Sequence, residues 1–513
     1  MLWLLLLFHA AVFAQSITLR PYLQAIRSEG PPPAALQGGK LTATGSDGAT
    51  WTGTAEGLWR EDPKAAPADR KRYFASRRWL PDDEVLALFP DSSSGMWVKT
   101  KTGVSHIELR RMTLEQKAEY FEDRVRKRHL RHGFVASSHL AEPGNLATNR
   151  TGSTDNDGLW TAIYAAAECY RYAATKSPEA LRYAKEAVEA ILKLEEVTSK
   201  PGLLARSYLV PGEPRPHDGI WFVSPNGNFI WKGDTSSDEV VGHYYIFAIA
   251  HETIPDKALK NRIEAVVRRM TNLIVNNNFT LPDIHGSPTW WGRWDPEYFR
   301  SERGKPDSPL NAVEILAFLK TAQHITGDEV YASHYGRLAV GEGYAALTAR
   351  YKELRETINY SDEELAMLSF ALLLGLEEDP GLRGVYLSGL EQWWENITRE
   401  KNPLWTYIYA LANRGKPAPL AEAEWTLQRI PMDLVSWTVK NSNRKDIEWV
   451  GDADRFGRRQ AKTLLPADER PVMKWNGNPF IVDGGNAGRS EDDGAFYLLP
   501  YWMGRAYRLN KGH

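Results

Sequence analysis

Apolar residues recur through the C-terminal two thirds of the chain in helical runs that come in pairs. The first run of most pairs is apolar on nearly every side, and the second carries more charge. A helix that is apolar all round must be buried, whereas an amphipathic helix lies outside it. The pairs are residues 160–174 with 179–194, 240–251 with 257–275, 312–326 with 330–347, 364–376 with 384–394 and 405–413 with 420–437, followed by a last run at 496–509.

This alternation, repeated about six times, predicts a mainly α fold of the (α/α)6-type toroid, with parallel inner helices surrounded by antiparallel outer helices. A polar segment precedes each inner helix, and a toroid places every inner-helix N-terminus at the same end. The sequence therefore predicts one site that six separate segments build together. These segments are residues 155–160, 232–245, 307–311, 359–363, 402–405 and 491–494.

The N-terminal part of the chain has a different pattern. Residues 1–16 combine an apolar run with the small residues of a cleavage site, which predicts a signal peptide. We predict a small β-domain at 17–111, a linker helix and loop at 112–154, and a toroid catalytic domain at 155–513. Thr113 and Gln116 have the spacing of a capping box, with which the linker helix would begin.

The predicted export signal and the cysteine content suggest where the protein resides. No later run reaches 18 apolar residues, so we expect no membrane attachment after signal cleavage. Cys169 is the only cysteine among 513 residues, and an exported chain without disulfides is typical of a secreted or periplasmic bacterial protein. The sequence leaves the oligomeric state open.

A short motif occurs twice in the predicted β-domain. The pattern Trp-x-x-Thr-x-x-Gly begins at Trp51 and again at Trp97. A period of 40–50 residues with short strands is typical of propeller blades, and the motif resembles the repeats of two-component-regulator-type β-propellers. Because a propeller needs at least four blades, we expect two blade-like units that lean on the following domain.

Composition narrows the range of ligands. The formal net charge is −2, which gives no electrostatic reason to expect nucleic acid or an anionic membrane as a partner. The 19 tryptophans are about three times typical usage. Aromatic rings stack on the C–H faces of sugars, so the excess favours an oligo- or polysaccharide as the substrate.

The densest chemistry lies in residues 232–245, where three acids, a histidine and two tyrosines precede or open an apolar helix. Helix capping explains the acids but not the other residues. We predict Asp238 as a general acid and Asp157 as the opposing base. The full set of catalytic candidates is Asp238, Asp157, Glu239, Asp234 and His243.

A second set of residues is predicted to bind the substrate. Three tryptophans, an arginine and a histidine share the Gly/Pro-rich loop at 282–295, which suits a sugar-binding wall better than a core. The remaining candidates stand at the starts of the inner helices. The set is Trp160, Tyr244, Tyr245, His285, Trp290, Trp291, Arg293, Trp294, Asn311, Tyr360, Trp405 and Asp493.

The six-hairpin pattern with an export signal resembles the six-hairpin glycosidase and toroid polysaccharide-lyase superfamilies. This resemblance implies sugar substrates and catalytic side chains at the N-terminal face of the inner helices. The density of acids favours a glycoside hydrolase. A lyase with a Tyr or His base acting on a uronic-acid-containing glycan, and a non-catalytic glycan-binding protein, remain alternatives. We predict no cofactor, although the oxygen-rich segments 155–157 and 234–238 leave a Ca²⁺ site open as another alternative.

Overall fold

A computed structural model describes residues 21–28, 39–354, 358–471, 474 and 476–509. The predicted signal peptide at 1–16 lies outside this range. The described chain is mainly helical, with several small antiparallel sheets. None of its described helices has both the length and the hydropathy that a membrane span requires.

Among the described residues, eight strands precede the helical part and form two four-stranded antiparallel sheets, ordered β1-β8-β7-β6 and β2-β3-β4-β5. A shared core containing Trp51, Phe74 and Trp79 joins them. The strands are β1 (Tyr22–Ser28), β2 (Thr42–Thr44), β3 (Thr50–Gly53), β4 (Leu58–Glu61), β5 (Lys71–Phe74), β6 (Val85–Pro90), β7 (Met96–Thr100) and β8 (Val104–Met112).

The repeated Trp-x-x-Thr-x-x-Gly motif forms the same hairpin in each sheet. Thr54 donates its backbone N–H and its hydroxyl to the Gly57 carbonyl oxygen, over 2.8 and 2.9 Å. Thr100 donates the same two groups to the Gly103 carbonyl oxygen, over 2.8 and 3.1 Å. The motif therefore encodes a β3–β4 turn and an equivalent β7–β8 turn.

The helical part consists of long helices joined by short strands and loops. The helices are α1 (Leu114–Arg128), α2 (Asp157–Thr175), α3 (Pro178–Glu196), α4 (Ser237–Thr253), α5 (Lys257–Asn276), α6 (Pro296–Arg300), α7 (Ser308–Thr326), α8 (Glu329–Gly336), α9 (Tyr344–Thr348), α10 (Tyr351–Leu354), α11 (Tyr360–Leu376), α12 (Pro380–Ile397), α13 (Pro403–Ala412), α14 (Leu420–Arg429) and α15 (Ala495–Ala506). The short strands are β9 (Leu130–Arg131), β10 (Phe134–Val135), β11 (Ser138–Leu140), β12 (Asn149–Arg150), β13 (Ser207–Leu209), β14 (Trp221–Val223), β15 (Ile230–Lys232), β16 (Thr280–Pro282), β17 (Pro288–Arg293), β18 (Val439–Lys440), β19 (Asp483–Gly484) and β20 (Ser490–Glu491).

Six of these helices contact one another in a closed ring. In order they are α2, α4, α7, α11, α13 and α15, and α15 packs against α2 to complete the circuit. Helices α3, α5, α8, α12 and α14 each pack against the ring helix that precedes them. The ring helices are buried on nearly every side, as α4 and α11 illustrate.

Helix α1 has a different role from the predicted linker. It begins with the expected capping box, since Thr113 and Gln116 each accept a backbone N–H from the other. It then packs against α15, where the Tyr497 hydroxyl donates to the Leu114 carbonyl oxygen over 2.7 Å. Helix α1 thus supplies the outer partner that the last ring helix lacks in its own part of the chain.

Two predicted outer helices are shorter than expected. Helix α14 ends at Arg429 because Pro431 follows, and Ile430 before it adopts the extended backbone that a residue preceding proline favours. The run predicted at 330–347 divides into α8, a π-helical segment at Arg337–Gly341 and α9. The helical run is interrupted at Gly343, just before α9, because its φ of 74° is left-handed.

The long segment at 438–490, here called the arm, packs against the N-terminal sheets. Asp468 forms ion pairs with Arg72 of β5 at 3.0 Å and with Arg429 of α14 at 2.8 Å. The Asp468 carbonyl oxygen accepts from the Trp79 indole over 3.1 Å. These contacts are buried, so the arm joins the sheets to the ring.

Candidate active site

An open cavity of about 680 Å³ lies where α4, α7 and α11 begin. Each of these helices contributes polar residues from its first turn or from the position just before it. Further walls come from the β16–β17 hairpin, from α6 with the segment after it, and from the arm. The lining residues are Ser237, Trp290, Trp291, Tyr298, Arg303, Pro306, Asp307, Leu310, Asn311, Leu354, Asn359, Asp362 and Arg455.

Local sequence explains why carboxylates face this cavity. Asp307 precedes α7, whose first turn contains Pro309, and Asn359 precedes α11, whose first turn contains Asp362. Carboxylates are favoured there by the positive end of the helix dipole. Asp307 accepts from the Tyr298 hydroxyl over 2.7 Å, and Asp362 accepts from the Asn359 amide over 2.8 Å.

Asp238 lies in the first turn of α4 and is half-buried; it follows the lining residue Ser237 and is not itself part of the cavity lining. Burial raises the pKa of Asp238, and the negative charge of Asp362 raises it further, although Ser236 and Arg206 act in the opposite direction. Asp238 therefore keeps its proton to a higher pH than an exposed aspartate does.

Glu314 lies within α7, and the negative charges of the same acids act on its carboxyl group. It is fully buried and accepts from the Trp294 indole over 2.8 Å. Burial raises the pKa of Glu314 well above its usual range, and the charges of Asp238, Asp362 and Asp307 add to the rise. Sequence reasoning missed Glu314, but an acid inside an apolar helix is a rare signal that could have pointed to it.

The predicted aromatic loop forms the β16–β17 hairpin, and two of its rings reach the cavity. Trp290 is 58% exposed and Trp291 is 55% exposed, which is unusual for residues of this size. Their rings meet edge to face with centroids 6.3 Å apart. Arg293 pairs with Asp295 at 2.9 Å, and its carbonyl oxygen accepts from the Asn311 amide over 2.8 Å, which ties the hairpin to α7.

Five predicted site residues are instead core residues, and their assignment to the site is corrected here. His243, Tyr244, Tyr245, Trp294 and Trp405 are at most 1% exposed. Tyr244, for example, stacks on Phe318 at 4.5 Å and hydrogen-bonds Thr271. Because the ring helices are buried on every side, only residues in or before the first turn reach the open end.

Asp157 and Glu239 are also enclosed, which argues against the predicted role of Asp157 as the base and against Glu239 as a catalytic residue. Asp157 is fully buried and accepts from Arg131 over 2.7 Å and from Ser207 over 2.5 Å. Glu239 accepts from the backbone N–H groups of Gly158 and Leu159 over 3.2 and 3.4 Å, so it caps α2 from a neighbouring helix. A Cβ at Gly158 would lie 2.1 Å from a Glu239 oxygen, which explains the glycine.

The remaining candidates lie outside the cavity lining. Asp493 pairs with Lys474 at 2.9 Å and accepts from the Ala495 N–H at the start of α15. Lys474 also lies over the ring of half-buried Trp160, 5.2 Å from its centroid. Asp234 is exposed with a φ of 54°, His285 is in the exposed hairpin turn, and Tyr360 is 8% exposed at the start of α11.

Of the residues that line the cavity, Trp290, Trp291 and Asn311 belong to the predicted site residues, and Ser237, Asp307, Leu310, Asn359 and Asp362 lie within the predicted polar segments. Tyr298, Arg303 and Arg455 are polar lining residues that neither prediction includes. Arg303 and Arg455 are exposed residues in irregular segments, where no hydrophobic period marks a residue as facing a site. Within the described ranges, no group of three or more His, Cys, Asp or Glu residues is placed to hold a metal ion.

Comparisons with known proteins give only distant likenesses. No protein-family model and no curated protein matches the chain. Similar solved structures include a metagenome-derived glycoside hydrolase family 9 endoglucanase, at 12% identity and TM-score 0.41, covering 92% of this chain and 98% of that one. A family 76 glycoside hydrolase from a bovine Bacteroides thetaiotaomicron strain is 9% identical with TM-score 0.40, covering 81% and 84%.

The cellobiose 2-epimerase from Spirochaeta thermophila is also similar, at 12% identity and TM-score 0.36, covering 77% of this chain and 98% of that one. Likenesses with TM-scores this low do not decide the function of this chain. The resemblance of the N-terminal repeats to β-propeller repeats is not confirmed.

Proposed function

We propose that this chain is a carbohydrate-active enzyme of the (α/α)6-toroid type that hydrolyses glycosidic bonds in the cavity at the start of α4, α7 and α11. The observation that carries the proposal is the combination of two exposed tryptophan rings with Asp307 and Asp362 in one cavity of about 680 Å³. Stacking rings and paired carboxylates are what sugar binding and glycoside cleavage require.

The carboxylates differ in ways that suit two roles. Asp238, whose pKa is raised by burial and by Asp362, is the general acid that protonates the leaving glycosidic oxygen. Asp362, whose carboxylate accepts from the Asn359 amide, is the second carboxylate that activates water or attacks the anomeric carbon. This pairing replaces the Asp238–Asp157 pair expected from the sequence, because Arg131 and Ser207 already enclose Asp157.

Several features favour hydrolysis over β-elimination. A lyase needs a side chain that removes a proton, and Tyr298 is the only tyrosine lining this cavity among the described residues. Burial and the hydrogen bond to Asp307 raise the pKa of Tyr298 to about 12, so its phenol stays protonated at neutral pH. The predicted base His243 is fully buried, and burial lowers its pKa to about 4.

The test is to incubate the chain beginning at residue 17 with a panel of neutral and acidic polysaccharides and to measure new reducing ends. Ultraviolet absorbance, recorded in parallel, detects the unsaturated sugar that a lyase leaves. Hydrolysis predicts reducing ends without absorbance. Absorbance rising together with reducing ends would establish the lyase alternative. Binding without cleavage on every glycan would indicate a glycan-binding protein.

A further inference from the structure

We infer that the substrate of this cavity is an acidic glycan, whose sugars carry carboxylate or sulfate groups that Arg303 and Arg455 bind. This inference rests on the proposed function, because it assumes that the cavity holds a sugar chain. It goes further by assigning the chemical class of that chain.

Arg303 is held in place by an aromatic ring and not by an acid. Its guanidinium lies 3.4 Å from the centroid of the Trp290 ring. Among the described residues, the neighbouring ion pairs join Arg293 to Asp295 and Arg300 to Glu342, and none includes Arg303. Stacking covers the flat face of a guanidinium but leaves its in-plane N–H groups free, and these donors fit the two oxygens of a carboxylate or sulfate.

Arg455 is placed at the cavity wall by a tight turn of the arm. Asp454 accepts from the backbone N–H groups of Phe456 and Arg458 over 3.0 and 2.8 Å, which closes the turn. Its carboxylate also pairs with the Arg458 side chain at 2.7 Å. The acid nearest in sequence therefore pairs with Arg458, and no ion pair among the described residues includes Arg455.

The acids that line the cavity form no ion pair with Arg303 or Arg455 among the described residues. Asp307 accepts from the Tyr298 hydroxyl over 2.7 Å, and Asp362 accepts from the Asn359 amide over 2.8 Å. Elsewhere in the same region, Arg293 has its own partner in Asp295. The cavity thus presents two guanidinium groups with open donor positions beside a sugar-stacking wall. A neutral glycan offers these donors no charged acceptor, whereas an acidic glycan does.

Calorimetric titration of the Asp238→Asn chain, in which turnover is suppressed, tests the inference. The probes are oligogalacturonate, a sulfated oligosaccharide and a neutral cello-oligosaccharide of equal length. We expect one of the acidic probes to bind at least about 10-fold more tightly than the neutral one, with an affinity that falls as NaCl rises. Preference for the first acidic probe identifies a carboxylate as the ligand group, and preference for the second identifies a sulfate.

The arginines are then tested in the same background. Arg303→Gln and Arg455→Gln should each weaken binding of the acidic probe about 10-fold, the scale of losing a charged hydrogen bond, and leave the neutral probe unchanged. Arg459→Gln is the matched control, because Arg459 stacks on Trp449 at 3.8 Å and does not line the cavity.

Two results would overturn the inference in distinguishable ways. Equal binding of neutral and acidic probes, unaffected by Arg303→Gln and Arg455→Gln, would refute the acidic substrate and leave the hydrolase proposal intact. Absence of binding of any probe to a folded chain, with no cleavage by the wild type, would refute the proposed function and this inference together.

Discussion

The starts of five of the six ring helices fall into two groups, in which acids at similar positions have different surroundings. At the start of α2, Asp157 is paired with Arg131, and at the start of α15, Asp493 is paired with Lys474. At α7 and α11, Asp307 and Asp362 line an open cavity and accept from the Tyr298 hydroxyl and the Asn359 amide, while Asp238 of α4 follows the lining residue Ser237. Acids at the starts of helices therefore form buried ion pairs in one group and lie at or beside an open cavity in the other.

The difference originates in the segments that precede each helix. Strand β9 supplies Arg131, which pairs with Asp157, and the arm supplies Lys474, which pairs with Asp493. The segments before α7 and α11 supply Tyr298 and Asn359, whose neutral groups position an acid without removing its charge. A buried ion pair and a functional carboxylate can thus share the same position relative to a helix.

The largest expected effect is a loss of stability when the ion pair at the start of α2 is broken. Arg131→Leu leaves Asp157 buried without its cation, so we expect the free energy of unfolding to fall by about 3–5 kcal/mol. Urea denaturation measures the change. The control is Arg262→Leu, which breaks the exposed pair with Glu189 and should cost less than about 1 kcal/mol. Equal losses in the two variants would contradict the structural role of Arg131.

The next largest effect is a loss of turnover when Asp238 of α4 is replaced. Asp238→Asn should reduce kcat by at least about 100-fold, the scale of losing acid assistance. Stability should change by no more than about 1 kcal/mol, since Asp238 is half-buried and is not the capping residue. Glu297→Gln, at an exposed acid of α6, should leave kcat unchanged. Near-normal turnover in a folded Asp238→Asn chain would refute its role as the acid.

A smaller effect distinguishes two neighbouring tryptophans. Trp291→Ala should weaken sugar binding by about 1–3 kcal/mol with little change in melting temperature, because the ring is more than half exposed. Trp294→Ala should lower stability by about 3–5 kcal/mol, because that ring is fully buried. Calorimetry and thermal denaturation measure the two quantities. A collapse of stability in Trp291→Ala would show that the hairpin is core.

The smallest effect is a displacement of the pH profile. Burial and the charge of Asp362 raise the pKa of Asp238, and the proposed acid is active when protonated. The value of kcat/KM should therefore fall as pH rises through that raised pKa. Asp362→Asn removes the neighbouring charge, so the fall in its residual activity should move to lower pH. An unchanged or higher midpoint would argue against coupling between the two acids.

The sequence by itself determined the alternation of buried and half-exposed helices, the approximate starts of the ring helices and the exposed tryptophan hairpin. These features follow from local causes: hydrophobic period, capping residues, and rings in a segment rich in glycine and proline. The local pattern also predicted the capping box of α1. It did not reveal that α1 packs against α15, because that partner lies at the other end of the chain.

Only the tertiary structure decided which acids form buried ion pairs and which lie at the cavity. Asp157 and Asp238 occupy almost the same position in their helices, as the first residue of α2 and the second of α4. The cation that neutralises Asp157 is 26 residues earlier in the chain, and Lys474 reaches Asp493 from the arm. The pKa of an acid depends on burial and on charges a few ångströms away, which are set by how distant segments pack.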